Sequence, residues 1–127
     1  MKIEINFKLD PLLEEFLHAN TRIQTITCFV ATLFAEHKHP MVVTCVRRTA
    51  AQQASLKAEG KTTATVSPHE DGRAVDIRLN DFPDKSKIKE MVETINRRYP
   101  RTDGRPTALA HGEGGNFHLH LQVPILK

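Results

Sequence analysis

Tryptophan is absent and tyrosine occurs once, so the chain has little with which to stack successive bases, and a platform for single-stranded nucleic acid is poorly supplied. Dense basic runs are missing too: Arg47-Arg48 and Arg97-Arg98 are only pairs. The net charge of +3 therefore describes a mildly basic surface. Such a surface is compatible with nucleic acid, anionic lipid, an anionic cell wall, or no charged partner at all; no nucleic-acid partner is expected. No stretch approaches the ~20 apolar residues of a membrane span. The opening MKIEINFKLD lacks the apolar core of a secretory signal. These absences predict a protein made in the cytosol that does not span a membrane and needs separate delivery to act outside the cell. Cysteine occurs only at positions 28 and 45, outside any Cys-x-x-Cys pair. Cys28 and Cys45 read as small buried thiols in apolar surroundings rather than as zinc or redox groups, with a disulfide between them left open.

The 127 residues suit one domain running from 1 to 127. A chain of this length buries roughly two-thirds of its unfolded surface, so one core suffices. A monomer is expected. Asp10-Pro11 reads as a helix start, a capping carboxylate followed by proline at the first helical position. Apolar residues then recur at helical spacing from Leu12 to Phe34, as one helix or as two broken at Asn20-Thr21. Met41 to Val46 is a β-branched run that reads as a strand. Thr49 to Glu59 reads as a helix closed by Gly60, and Lys61 to Pro68 as a polar loop. Arg73 to Leu79 reads as a strand, and Asp84 to Tyr99 as an amphipathic helix carrying Ile88, Met91, Val92 and Ile95 on one face. Pro106 to His111 and Phe117 to Val123 read as two strands joined by a turn at 112–116. The order predicts an α+β fold: a small antiparallel sheet flanked by N-terminal and middle helices.

Two stretches carry chemistry. Along Asn116-Phe117-His118-Leu119-His120-Leu121-Gln122-Val123, strand alternation puts His118, His120 and Gln122 on one face and the apolar residues on the other. Two imidazoles two residues apart can converge on one ion or one reacting group; they can also be histidines on a solvated sheet face. The second stretch is Ser67-Pro68-His69-Glu70-Asp71-Gly72-Arg73-Ala74-Val75-Asp76-Ile77-Arg78. Asp76 stands on the polar side of an apolar strand, where a carboxylate needs a partner; a metal is one, Arg73 or Arg78 another. Gly72 permits a backbone shape that lets the loop carry His69 back towards Asp76. Together the stretches supply two imidazoles and one carboxylate. Three protein ligands with a fourth position open is the pattern of a catalytic zinc site. Iron(II) oxygenases use similar sets but usually carry His-x-Asp on one strand, which this chain lacks.

Ser67-x-His69-x-x-Gly72-x-Ala74-x-Asp76 resembles the Ser-x-His-x-x-Gly-x-Ala-x-Asp motif of the D-alanyl-D-alanine carboxypeptidase family, which includes vancomycin-resistance dipeptidases and phage L-alanyl-D-glutamate endolysins. Val43 to Gln53 resembles that family's strand-to-helix segment, with Arg48 before Thr49 and Gln53 in the helix. His118-x-His120 is similar to the wider group that joins these enzymes to lysostaphin and hedgehog. The resemblance spans Val43 to Val123, about two-thirds of the chain. It implies Zn²⁺ held by His69, Asp76 and His120. It implies substrate or oxyanion contact by Arg48, a role Arg47 can also fill, with Ser67 supporting the site and Gln53 near the substrate. The chain departs from the pattern where many members carry Glu or Asp three residues before the last zinc histidine: Phe117 stands there. Glu113 is the expected general base and His118 a transition-state stabiliser, with His118 and His111 as other candidates for the base. The implied activity is a zinc peptidase of the peptidoglycan stem peptide, acting on L-Ala–D-Glu or, second, D-Ala–D-Ala, in the manner of a phage or prophage endolysin released to the cell wall. The missing carboxylate keeps a non-catalytic zinc module that binds muropeptide as the alternative.

Overall fold

The computed structural model describes residues 2–46 and 72–124. The expected helix at 49–59 and loop at 61–68 lie outside them. The elements in chain order are β1 (Ile5–Phe7), α1 (Asp10–Leu17), α2 (Thr21–Glu36), β2 (Met41–Cys45), β3 (Ala74–Arg78), α3 (Ile88–Arg98), β4 (Ala108–His111) and β5 (His118–Gln122). The five strands form one sheet in the order β1-β2-β3-β5-β4. The α+β class holds. β1, which the sequence reading passed over, pairs parallel with β2, Ile5 opposite Met41, while the other pairs are antiparallel. The sheet is therefore mixed rather than antiparallel throughout. Three residues are too few to show alternation, and a parallel pair needs a long crossover, which α1 and α2 provide.

The break at Asn20-Thr21 is real. Asn20 ends the α1 region and caps α2, its Oδ1 accepting from the backbone N–H of Arg22 at 2.8 Å and Ile23 at 3.3 Å. Asp10 does not cap α1; Leu9 holds that position and Asp10 lies in the first turn, ahead of Pro11, where its charge meets the positive end of the helix. Asp84 accepts from the Ser86 N–H at 3.0 Å and hydroxyl at 2.5 Å, bonds that hold its carboxyl below the usual range. The turn they start, Lys85–Lys87, is 3₁₀ before α3 begins. Cys28 is exposed on α2, not buried as expected, and Cys45 is half-buried; the two are not bonded to each other.

One apolar cluster joins the helices to the sheet. α1 contributes Leu12 and Phe16; α2 contributes Ile23, Ile26, Val30 and Phe34; α3 contributes Ile88, Met91 and Ile95. They meet Met41, Val43, Val75, Ile77, Ala108, Leu119 and Leu121 from four strands. α3 is tied to β4 by Asn96, whose amide donates to the Ala108 carbonyl at 3.0 Å and accepts from its N–H at 2.8 Å. Among the described residues, no helix is long and apolar enough to cross a membrane.

Gly72 sets where β3 begins. Its φ is +69°, and a Cβ built on it would stand 3.1 Å from the Ala19 Cα. Its carbonyl accepts from the Asn20 N–H at 3.0 Å, so the entry to β3 is fastened to the start of α2. A Gly72→Ala variant is expected to lose about 1–3 kcal/mol of stability from the left-handed backbone alone, with more from the contact with Ala19. Urea unfolding of the variant beside the parent measures it, and an unchanged midpoint would contradict this placement.

Candidate active site

The site follows from the pairing of two strands. β3 and β5 are antiparallel, with Ile77 opposite Leu119, Asp76 opposite His120 and Arg78 opposite His118. Directly opposed residues share a face. Leu119 and Leu121 are fully buried, and His118, His120 and Gln122 are half-buried on the other side, as strand alternation predicts. The imidazoles are not on an open, solvated face. The His118 and His120 side chains are each 24% exposed and that of Asp76 13%, so the cluster is reachable from solvent but mostly shielded.

His120 Nδ1 lies 2.8 Å from Asp76 Oδ1. A carboxylate only accepts, so Nδ1–H donates there. The other ring nitrogen, Nε2, lies 2.9 Å from Gln122 Oε1. His118 approaches the same Asp76 oxygen with Nε2 at 3.9 Å, while its Nδ1 lies 2.6 Å from the Asn116 carbonyl. That carbonyl accepts, so the proton of a neutral His118 sits on Nδ1 and the Nε2 lone pair faces the site. Among the described residues, the Asp76 carboxylate meets the His120 imidazole and is approached by that of His118.

Two backbone features position these groups. On one flank β2 carries a bulge: Val43 pairs with Ile77 and Cys45 with Asp76, so two steps on β2 span one on β3. The Thr44 hydroxyl donates to the Asp76 carbonyl at 3.3 Å. Bulges re-aim side chains next to sites, and this one lies opposite Asp76. On the other flank, Gly112 opens the β4–β5 turn with φ +96°, and a Cβ there would stand 2.3 Å from the Asn116 carbonyl oxygen. Only glycine lets the turn close down on the carbonyl that orients His118.

By sequence, no family model matches the chain, and no curated protein matches it. Its fold is similar to a solved one. The crystal structure of Serratia marcescens L-Ala D-Glu endopeptidase ChiX superposes with a TM-score of 0.55 at 15% identity, over 91% of this chain and 90% of that one. At that identity the likeness speaks for the fold.

Of the residues singled out from sequence, Asp76, His118 and His120 come together, and His111 joins them. His111 is the β4 partner of His118, their ring centres 5.0 Å apart and 33° from parallel. Glu113 stands exposed at the turn, and no hydrogen bond or ion pair joins it to these histidines. Arg48, Gln53, Ser67 and His69 lie outside the described residues. Sequence reasoning put Gln122 on the right face without seeing its bond to His120; its position two residues on along β5 was the available signal. It missed the Asn116 carbonyl, because backbone acceptors leave no trace in residue type.

Among the described residues, no group of three His, Cys, Asp or Glu side chains is set to hold a metal. The pair present is nonetheless a suitable donor set. Zinc takes carboxylate oxygen and imidazole nitrogen at about 2.0–2.2 Å, which at a tetrahedral angle separates the two donors by about 3.4 Å. The Asp76–His120 contact, now bridged by a proton at 2.8 Å, needs to open by only about half an ångström.

Gly112→Ala is expected to push the Asn116 carbonyl away and release His118. Imidazole ¹⁵N shifts should then report a mixture of His118 tautomers in place of one with Nδ1 protonated. An unchanged spectrum in a folded variant would show that the turn does not orient His118.

Proposed function

We propose that this protein is a zinc-dependent peptidase of the peptidoglycan stem peptide, cleaving L-Ala–D-Glu, with D-Ala–D-Ala as the second choice of bond. The observation that carries the reading is the strand register that brings Asp76 and His120 within 2.8 Å and turns His118 towards the same carboxylate. A fold shared with an L-Ala D-Glu endopeptidase supports the choice of substrate. The setting is the bacterial cell wall, with a phage or prophage endolysin as the type of enzyme.

Asp76, His120 and His69 would hold the zinc. Bound there, zinc polarises a peptide carbonyl and acidifies a water molecule. The chain's own residues do the rest. His118 presents an unprotonated Nε2 to the site and accepts the proton of the attacking water. The C–N bond breaks, and the same nitrogen returns the proton to the leaving amine. Arg48 balances the negative charge that develops on the carbonyl oxygen. Ser67 supports the site and Gln53 meets the substrate. Leu109, exposed on β4 and directly opposite His120, offers an apolar contact beside the polar cluster. Glu113 and His111 are the other proton carriers, Glu113 requiring the turn to bend inward. A second reading, a zinc-binding module that holds muropeptide without cutting it, is favoured by Phe117 at the position of the usual carboxylate and by the exposure of Glu113.

Chelated protein should release nothing from purified peptidoglycan, and added zinc should restore release. Mass spectrometry of the products distinguishes the bonds: a new free D-Glu amine marks the endopeptidase, loss of terminal D-Ala the carboxypeptidase. Zinc binding without any product would move the protein to the second reading. Asp76→Ala should abolish stoichiometric zinc binding in a chelator competition; a variant that still held one zinc tightly would refute the ligand set. His118→Ala should lower kcat by about 10²–10⁴-fold, the usual worth of a positioned proton carrier. If Glu113→Ala has that effect and His118→Ala does not, the proton passes through Glu113.

A further inference from the structure

Gln122 belongs to no part of the mechanism above, yet its side chain is committed. Its Oε1 lies 2.9 Å from His120 Nε2, the nitrogen on the far side of the ring from Asp76. Its backbone is held as well, the N–H donating to the Thr107 carbonyl at 2.9 Å. Its partner on β3 is Ala74, a fully buried methyl side chain. Beside a residue that small, the amide can lie along the strand and reach its neighbour two positions back.

We infer that Gln122 is the positioning residue for His120: its amide grips Nε2 so that Nδ1 is the nitrogen offered to Asp76 and to a metal shared with it. The inference rests on the zinc-peptidase reading and extends it to a residue outside the ligand set. An imidazole has two nitrogens able to ligate, and the hydrogen bond made by one decides which is offered. An amide suits the task in both states of the site. In the metal-free neutral ring, Nδ1 carries the proton that Asp76 accepts, so Nε2 accepts and calls for the amide NH₂, half a turn from the Oε1 contact of the structure. Once Nδ1 gives its lone pair to a metal, Nε2 carries the proton and needs an acceptor. Half a turn of the amide about its last bond supplies either. A hydrocarbon of the same length supplies neither.

The test is zinc affinity by chelator competition on the full chain, with thermal unfolding of each metal-free protein alongside. Gln122→Met keeps the length and removes both hydrogen-bonding ends; its zinc Kd is expected to rise about 10–100-fold while metal-free stability stays close to the parent. Gln122→Ala removes the amide without adding bulk and should show the same loss, which keeps the test open if the methionine variant fails to fold. Gln122→Glu retains an acceptor for the loaded state and is expected to stay within about threefold of the parent, a small part of the range that loss of such a partner spans. Parent-like affinity in the methionine and alanine variants would overturn the inference and leave the zinc reading standing. So would a glutamate variant as weak as the other two, since glutamate keeps both the length and the acceptor, and the loss would then have a cause other than the acceptor. A parent protein that binds no zinc would overturn the zinc reading itself, and this inference with it.

Discussion

Everything on the polar face hangs on the register of β3 against β5. Side chains alternate with a period of two, so pairing Ile77 with Leu119 obliges Asp76 to stand beside His120. A slip of one residue would turn His118 and His120 into the core and Leu119 and Leu121 out of it. The forces that forbid the slip are apolar. Val75, Ile77, Leu119 and Leu121 are fully buried, and each such side chain is worth roughly 1.5–3 kcal/mol against exposure. The reactive geometry is thus held by residues that take no part in the chemistry.

Asp76 shows what that arrangement costs. It is a carboxylate in a strand whose neighbours Ala74, Val75 and Ile77 are all buried, where an unpaired charge is expensive. His120 meets part of the cost with one nitrogen, and the approach of His118 places a second imidazole near the same oxygen. The surrounding backbone bends to allow this on both sides. β2 yields a bulge opposite Asp76, and the β4–β5 turn gives up a side chain at position 112.

Much of this was legible in residue types. The alternation from Phe117 to Val123 is strong enough to assign each side chain to its face, and Asn20-Thr21 marks where the helical run can divide in two. The carboxylate inside an apolar strand pointed to a partner before any partner was known. What stayed hidden has physical reasons. β1 is three residues long and depends for its existence on β2, more than thirty positions away in its register. The 3.9 Å approach of His118 to Asp76 depends on a backbone carbonyl, and the pairing of His111 with His118 on a hairpin register. Glu113 was singled out by its place in the chain, but its exposed position follows from how the turn folds.

Asn96 has a consequence for how copies of this molecule behave towards one another. Among the described residues β4 is the last strand of the sheet, and a strand in that place is a template for another chain to add to. The amide of Asn96 takes both the N–H and the C=O of Ala108, two of the groups an incoming strand would use. One helix side chain thereby covers the edge of β4 at Ala108, where a strand added to it would find both groups taken.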